Sequence, residues 1–125
     1  MARNWLEFKR GNVPTVPIRI DNERYLALID TGALYSFVAP DLSLLLGLPR
    51  KRFQTIVGVS GQKELLPVVT LPAIGLAQLE LSPCEAVVRS LKPLGLNIEL
   101  ILGVNALANH RLQFDFKEGR IYVIA

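Results

Sequence analysis

Cysteine and histidine are almost missing: the chain of 125 residues has one of each, Cys84 and His110. One cysteine excludes an intrachain disulfide, and one Cys with one His cannot supply the usual zinc sets, so no metal and no cofactor are expected. Such sparse cysteine suits a reducing compartment. Long apolar runs are lacking too, because Pro, Gly or a charge interrupts each one before it reaches membrane-spanning length. The opening Met1-Ala2-Arg3-Asn4-Trp5-Leu6-Glu7 has no apolar centre of the kind a secretory leader carries. A soluble cytoplasmic protein without a membrane partner is the expectation. Charge of one sign is scarce as well: 14 basic and 11 acidic side chains leave a net +3, and the densest basic run is only Arg50-Lys51-Arg52. That run reads as a solvated loop, so no nucleic-acid partner is expected.

What remains is a chain that is 50% apolar and 20% charged, of a length suited to one compact unit. Residues 1–125 read as one domain with a packed core. Short apolar runs alternate with polar positions and are punctuated by turn formers, which points to an all-β fold. Val16, Ile18 and Ile20 alternate, Asp21-Asn22-Glu23 turns the chain, and Tyr25 to Ile29 is apolar on both faces, as a central strand would be. Pro40 to Leu46 reads as a short helical turn stopped by Gly47. Phe53 to Val57 and Leu65 to Leu71 flank a hairpin tip, and Pro67 suggests that its second strand is an edge. A further hairpin is expected from Leu71 to Leu81, turning near Ile74-Gly75, and Cys84 to Arg89 continues the sheet. Leu96, Ile98, Leu100 and Leu102 alternate as a half-buried strand, Asn105 to His110 has room for a short helix, and two strands about Lys117-Glu118-Gly119 close the chain.

Chemistry is concentrated at Asp30-Thr31-Gly32-Ala33, just beyond the apolar strand. A strand fixes the carboxylate, a threonine can hydrogen-bond across an interface, and a glycine lets backbone or substrate come close. The same residue types are ordinary at a strand-to-turn junction, so the tripeptide is only suggestive by itself. Trp5 and Phe8 read as packing residues, Cys84 as a small apolar residue in a strand, and His110 as a cap or solvated side chain. A phosphoryl-accepting aspartate would need a second acidic residue nearby for magnesium, and Asp30 to Tyr35 holds none.

Downstream lie the glycine-tipped hairpin Gly58-Val59-Ser60-Gly61 and the run Leu100-Ile101-Leu102-Gly103 followed by Val104-Asn105-Ala106-Leu107. In this order the sequence resembles the retropepsin-like aspartic proteases across residues 13 to 124. The resemblance implies a small closed barrel-like acid protease subunit with a flap hairpin and one short C-terminal helix. It implies that Asp30 is catalytic, that Thr31 grips its counterpart in a partner subunit, and that Gly32 and Ala33 complete the active-site loop. Gly58, Val59, Ser60 and Gly61 then match the flap, and Ile101, Leu102 and Gly103 the apolar loop beneath the site. Retroviral members carry a paired acid and arginine where this chain has Leu34 and Val104; both charges are gone together, so an apolar contact can replace the pair. The flap has no tyrosine at its tip, and the chain looks like a bacterial or cellular relative. Peptide hydrolysis by this route takes two carboxylates, and one chain has one motif. A homodimer acting on a peptide or protein substrate follows. The rival reading is a catalytically inactive dimerisation or peptide-binding module on the same fold.

Overall fold

The computed structural model describes residues 4–58 and 60–124. The chain begins with β1 (Trp5–Glu7), β2 (Thr15–Ile20), β3 (Glu23–Ile29), β4 (Ser36–Val38) and helix α1 (Pro40–Leu45). It continues through β5 (Arg52–Val57), β6 (Lys63–Leu71), β7 (Ile74–Leu76), β8 (Leu79–Leu81) and β9 (Cys84–Val88). After a 3₁₀ turn at Lys92–Leu94 come β10 (Leu100–Leu102), helix α2 (Val104–Leu107), β11 (Arg111–Asp115) and β12 (Arg120–Ile124). A nine-stranded sheet runs β5-β6-β9-β4-β10-β3-β2-β7-β8, and a three-stranded one runs β1-β12-β11. Closure into a barrel would require the end strands β5 and β8 to bond to each other, and they do not, so the expected barrel-like shape is two open sheets. No helix among the described residues is long and apolar enough to cross a membrane.

Strand alternation builds two apolar layers. Val16, Ile18 and Ile20 leave one face of β2 and are fully buried with Leu71, Ile74, Leu76, Leu81 and Ile121. From β3, Ala27 and Ile29 join this main core, whereas Leu28 and Leu26 turn to the other face, into a smaller cluster with Leu91, Ile98, Ile101 and Phe37. That division is why β3 is apolar on both sides. It lies between β2 and β10, a central position. Asp21 and Asn22 both take left-handed backbone, φ 51° and 67°, which matches the right-handed twist of the β2–β3 hairpin.

Four expectations need correction. The turn after β7 falls at Ala77-Gln78, with Ala77 at φ 53°, and Gly75 lies within β7. Pro67 is on an inner strand, since β6 has β5 on one side and β9 on the other; yet β9 pairs only from Val68 onward, so no neighbour asks Pro67 for a second hydrogen bond. The expected half-buried strand from Leu96 shrinks to Leu100–Leu102, buried at all three residues. Before it, Glu99 replaces a ladder: its carboxylate accepts from the Leu26 N–H at 2.7 Å and its own N–H donates to the Leu26 carbonyl at 3.0 Å. The last helix begins at Val104 and ends at Leu107, short of His110.

Burial sets the expected cost of truncation. Leu102→Ala removes a fully buried side chain and should lower stability by about 2–5 kcal/mol, whereas Leu44→Ala, at a residue 82% exposed, should stay within about 0.5 kcal/mol of the parent. Urea unfolding midpoints check both.

Candidate active site

Parallel pairing between β3 and β10 carries the carboxylate. Leu100, Ile101 and Leu102 sit opposite Ala27, Leu28 and Ile29, and the next N–H, that of Asp30, donates to the Leu102 carbonyl at 3.0 Å. Beyond this point the chain turns: Ala33 N–H donates to the Asp30 carbonyl at 3.2 Å, and Gly32 N–H to the Asp30 Oδ1 at 2.9 Å. Asp30 is half-buried, while Thr31 and Gly32 are exposed. The carboxylate is thus anchored through one oxygen to its own loop.

A second backbone holds the far side of that loop. Val104 N–H donates to the Ala33 carbonyl at 2.8 Å and Asn105 N–H to the Leu34 carbonyl at 3.2 Å. The approach is close enough that a Cβ at Gly103 would lie 2.3 Å from the Tyr35 carbonyl oxygen and 2.7 Å from that of Ala33. Only glycine fits. Of the residues read from sequence, Asp30, Thr31, Gly32, Ala33, Ile101, Leu102 and Gly103 therefore come together as one unit.

Two polar side chains that the sequence reading passed over complete the clamp. Ser36, fully buried, accepts from the Gly103 N–H at 3.1 Å and donates to the Asn105 Oδ1 at 2.7 Å; Asn105 Nδ2 donates to the Glu85 carbonyl at 2.7 Å. Glu85 also bonds Arg52 across β6 at 2.8 Å, which holds the Glu85 carboxyl below its ordinary range. Ser36 further touches Cys84, whose thiol burial pushes upward and keeps protonated, the opposite of a nucleophile's environment. Sequence distance hid these contacts, since Ser36 and Asn105 are 69 residues apart.

Gly58, Ser60 and Gly61 form the tip of the β5–β6 hairpin; Val59 lies outside the described residues. Gly58 N–H donates to the Gln62 carbonyl at 2.8 Å, and Gly61 has φ +84°, a conformation suited to glycine. Exposed ion pairs tie this hairpin to β9 and its end: Arg52, at the base, to Glu85, and Glu64, next to the tip, to Arg89. Along β3 the face that bears Leu28 also bears Asp30, by strand alternation, and beside Leu28 stands Ile101, then Phe37. On that side a cavity of about 170 Å³ is lined by Phe37, Arg89, Ser90, Leu91, Pro93, Leu94 and Ile101. Among the described residues no three of His, Cys, Asp and Glu are grouped to hold a metal ion.

The clamp is testable by its geometry. Gly103→Ala should cost at least about 2–3 kcal/mol, because the atoms in its way are backbone, and Ser36→Ala about 1–3 kcal/mol, because a buried N–H loses its acceptor. Denaturant midpoints give both values; a Gly103→Ala protein as stable as the parent would contradict the close approach.

A sequence profile described as aspartyl protease matches residues 16–106, more than half of the chain. A retropepsin-like aspartic protease from Rickettsia conorii superposes with a TM-score of 0.63 at 16% identity, over 97% of this chain and 91% of that one. The retroviral protease-like domain of Ddi1 from Leishmania major superposes with a TM-score of 0.57 at 19% identity, over 91% of this chain and 95% of that one. At such identities the structural likeness speaks for the fold, and the profile match for the lineage. The chain belongs to the aspartyl protease family, with the retropepsin-like fold.

Proposed function

We propose that this chain, as one domain over residues 1–125, is a subunit of a homodimeric aspartic endopeptidase whose two Asp30 carboxylates meet across a two-fold axis. The observation that carries the reading is the placement of a single Asp-Thr-Gly loop at the surface, clamped from behind and open in front, with Thr31 and Gly32 exposed. The loop has an apolar rim. Leu34 is 66% and Val104 40% exposed, and a groove of about 300 Å³ beside Thr31 is lined by Val104, Leu107, Ala108, Leu112 and Phe114, with His110 as its one polar side chain besides Thr31. A second copy would cover these side chains, which stand where retroviral members carry a charged pair. Asp21, Asp41 and Asp115 lie in the β2–β3 turn, in α1 and at the end of β11, so the second carboxylate has to come from another chain.

In that dimer one carboxylate takes a proton from water as its oxygen attacks the peptide carbonyl carbon, and the other protonates the carbonyl oxygen. Collapse of the tetrahedral adduct breaks the C–N bond: the first carboxylate gives its proton to the leaving amine nitrogen, and one hydroxyl of the adduct returns a proton to the second. Aspartic proteases are the general example of two carboxylates too close to ionise together, which therefore share one proton. Gly58, Ser60 and Gly61 serve as the flap over the peptide, with Val59 between them. The cavity on the Asp30 side of the sheet, mostly apolar apart from Arg89 and Ser90, favours an apolar substrate side chain.

Asp30→Asn removes both carboxylates at once and should abolish cleavage of a diverse peptide pool while leaving a folded dimer. Activity of the parent should follow a bell-shaped pH profile with its optimum below neutrality, falling on the acid side as the base is protonated and on the alkaline side as the acid ionises. An Asp30→Asn protein that cleaves like the parent sinks the reading, and an inactive parent that still dimerises would favour the binding module.

Thr31→Val should weaken self-association, read by sedimentation across a concentration series, without lowering the monomer's unfolding midpoint. Gly61→Val forces a branched side chain onto φ +84° at an exposed tip, and should reduce turnover more than it reduces stability.

A further inference from the structure

The β2–β3 hairpin carries an arrangement of charge unrelated to the Asp30 loop. Its turn has two residues, so Ile20 and Glu23 form a hydrogen-bonded closing pair, and the next pair, Arg19 opposite Arg24, is a narrow non-hydrogen-bonded one. Pro17, which has no N–H to donate, falls opposite Leu26 in the same class of pair, as this alternation requires. At a narrow pair two side chains leave the same face with Cβ atoms about 5 Å apart, and like charges there repel. Two arginines thus leave neighbouring backbone positions where a sheet gains most from opposite charges. The ion pairs of the described residues, Arg52 with Glu85 and Arg89 with Glu64, involve neither of them.

Arg19 is turned away from β3 and fixed over β7. Its Nη2 donates to the Ala77 carbonyl at 2.7 Å, and its guanidinium lies over Gly75 so closely that a Cβ there would sit 2.5 Å from Nη2. A glycine in β7 and a left-handed alanine after it, at φ 53°, therefore both hold one cation in place. In front of it opens a cavity of about 420 Å³ lined by Trp5, Leu6, Pro17, Arg19, Asn22 and Arg24, with no carboxylate among the described lining residues. That volume falls in the range of small-molecule sites, roughly 300–1,000 Å³. One part of the lining is apolar, and the Trp5 ring is itself covered by the Arg120 guanidinium at 4.1 Å. Arg24 precedes Asp30 by six positions along β3, so about 20 Å separate this cavity from the carboxylate loop.

We propose that this cavity is a binding site for a small dianion carried on a flat apolar body. The two guanidinium groups and the Asn22 amide take the oxyanion, and Trp5, Leu6 and Pro17 take the body. A doubly charged group matches the two cationic side chains of the lining, and planar guanidinium donors suit the oxygens of a phosphate monoester or of two adjacent carboxylates equally. The site does not depend on the peptidase reading.

Trp5 is the only tryptophan, so its emission reports on the cavity directly. The full chain, at fixed ionic strength, is titrated with phenyl phosphate, phthalate, inorganic phosphate and benzyl alcohol. A saturable change is expected with at least one aromatic dianion, weaker binding of inorganic phosphate, and no saturation with the neutral alcohol. A response to phenyl phosphate alone identifies a phosphate monoester as the ligand class, and a response to phthalate alone identifies paired carboxylates. Arg24→Gln, at an exposed position whose unfolding midpoint should match the parent's, should weaken binding by about tenfold or more. The proposal is overturned if neither aromatic dianion saturates, if benzyl alcohol binds as well as they do, or if Arg24→Gln and Arg19→Gln both titrate like the parent.

Discussion

Two irregular stretches of backbone, one after β3 and one after β10, are pressed together at Gly103, and the rest of the site is arranged around that approach. Neither stretch has a sheet neighbour for its polar groups. Each therefore takes the other as partner, through the Val104 and Asn105 N–H groups on one side and the Ala33 and Leu34 carbonyls on the other. A buried backbone left without such partners would cost far more than the contact can gain. The short parallel pairing of β10 with β3 brings the two stretches level, and Ser36 and Asn105 lock them in register from below. The Asp30 carboxylate is rigid because the peptide units around it have nowhere else to bond.

The same sheet divides its apolar side chains between two layers by simple alternation. Residues on one face of β3 and β10 enter the main aliphatic core, and those on the other face form a thinner layer that ends at Asp30. The thinner layer keeps a cavity between Phe37, Leu91 and Ile101, while the main core is fully buried at most of its positions. Changes on the Asp30 face can then reshape that cavity without dismantling the domain's interior.

Much of this was legible in the sequence because backbone demands leave a mark on residue type. The β2–β3 turn shows itself as Asp21-Asn22 and the hairpin tip as Gly58 and Gly61, since each needs a conformation or a clearance that few residues allow; the close backbone approach, expected at Gly32, falls at Gly103. The retropepsin-like fold was legible through a family resemblance, carried by Asp30-Thr31-Gly32-Ala33, the Gly58 to Gly61 tip and Ile101-Leu102-Gly103 in that order. Reading failed where a pattern had two causes. Leu96 and Ile98 pack on the smaller layer and Leu100 and Leu102 in the main core, so an apparently single alternating strand is half irregular chain, with Glu99 standing in for the ladder. Gly75 misled for a related reason: it makes room for the Arg19 guanidinium rather than for a turn. Ser36 and Asn105 gave no signal, because a polar pair that meets only after folding has no local pattern.

The position of β10 bears on the order in which the molecule assembles. The hairpins β2–β3, β5–β6 and β11–β12 join neighbours in the chain, but β10 inserts between β3 and β4, and the Leu26–Glu99 hydrogen bond beside it spans 73 residues. Loop-closure entropy opposes so distant a contact until the intervening strands have collapsed, which places it late and makes the fold slow for its size. On a ribosome, β3 and its aspartate are made long before their partner strand. The nascent chain therefore carries an unframed carboxylate until Leu100–Leu102 emerges, and the geometry any chemistry would need is among the last things this fold acquires.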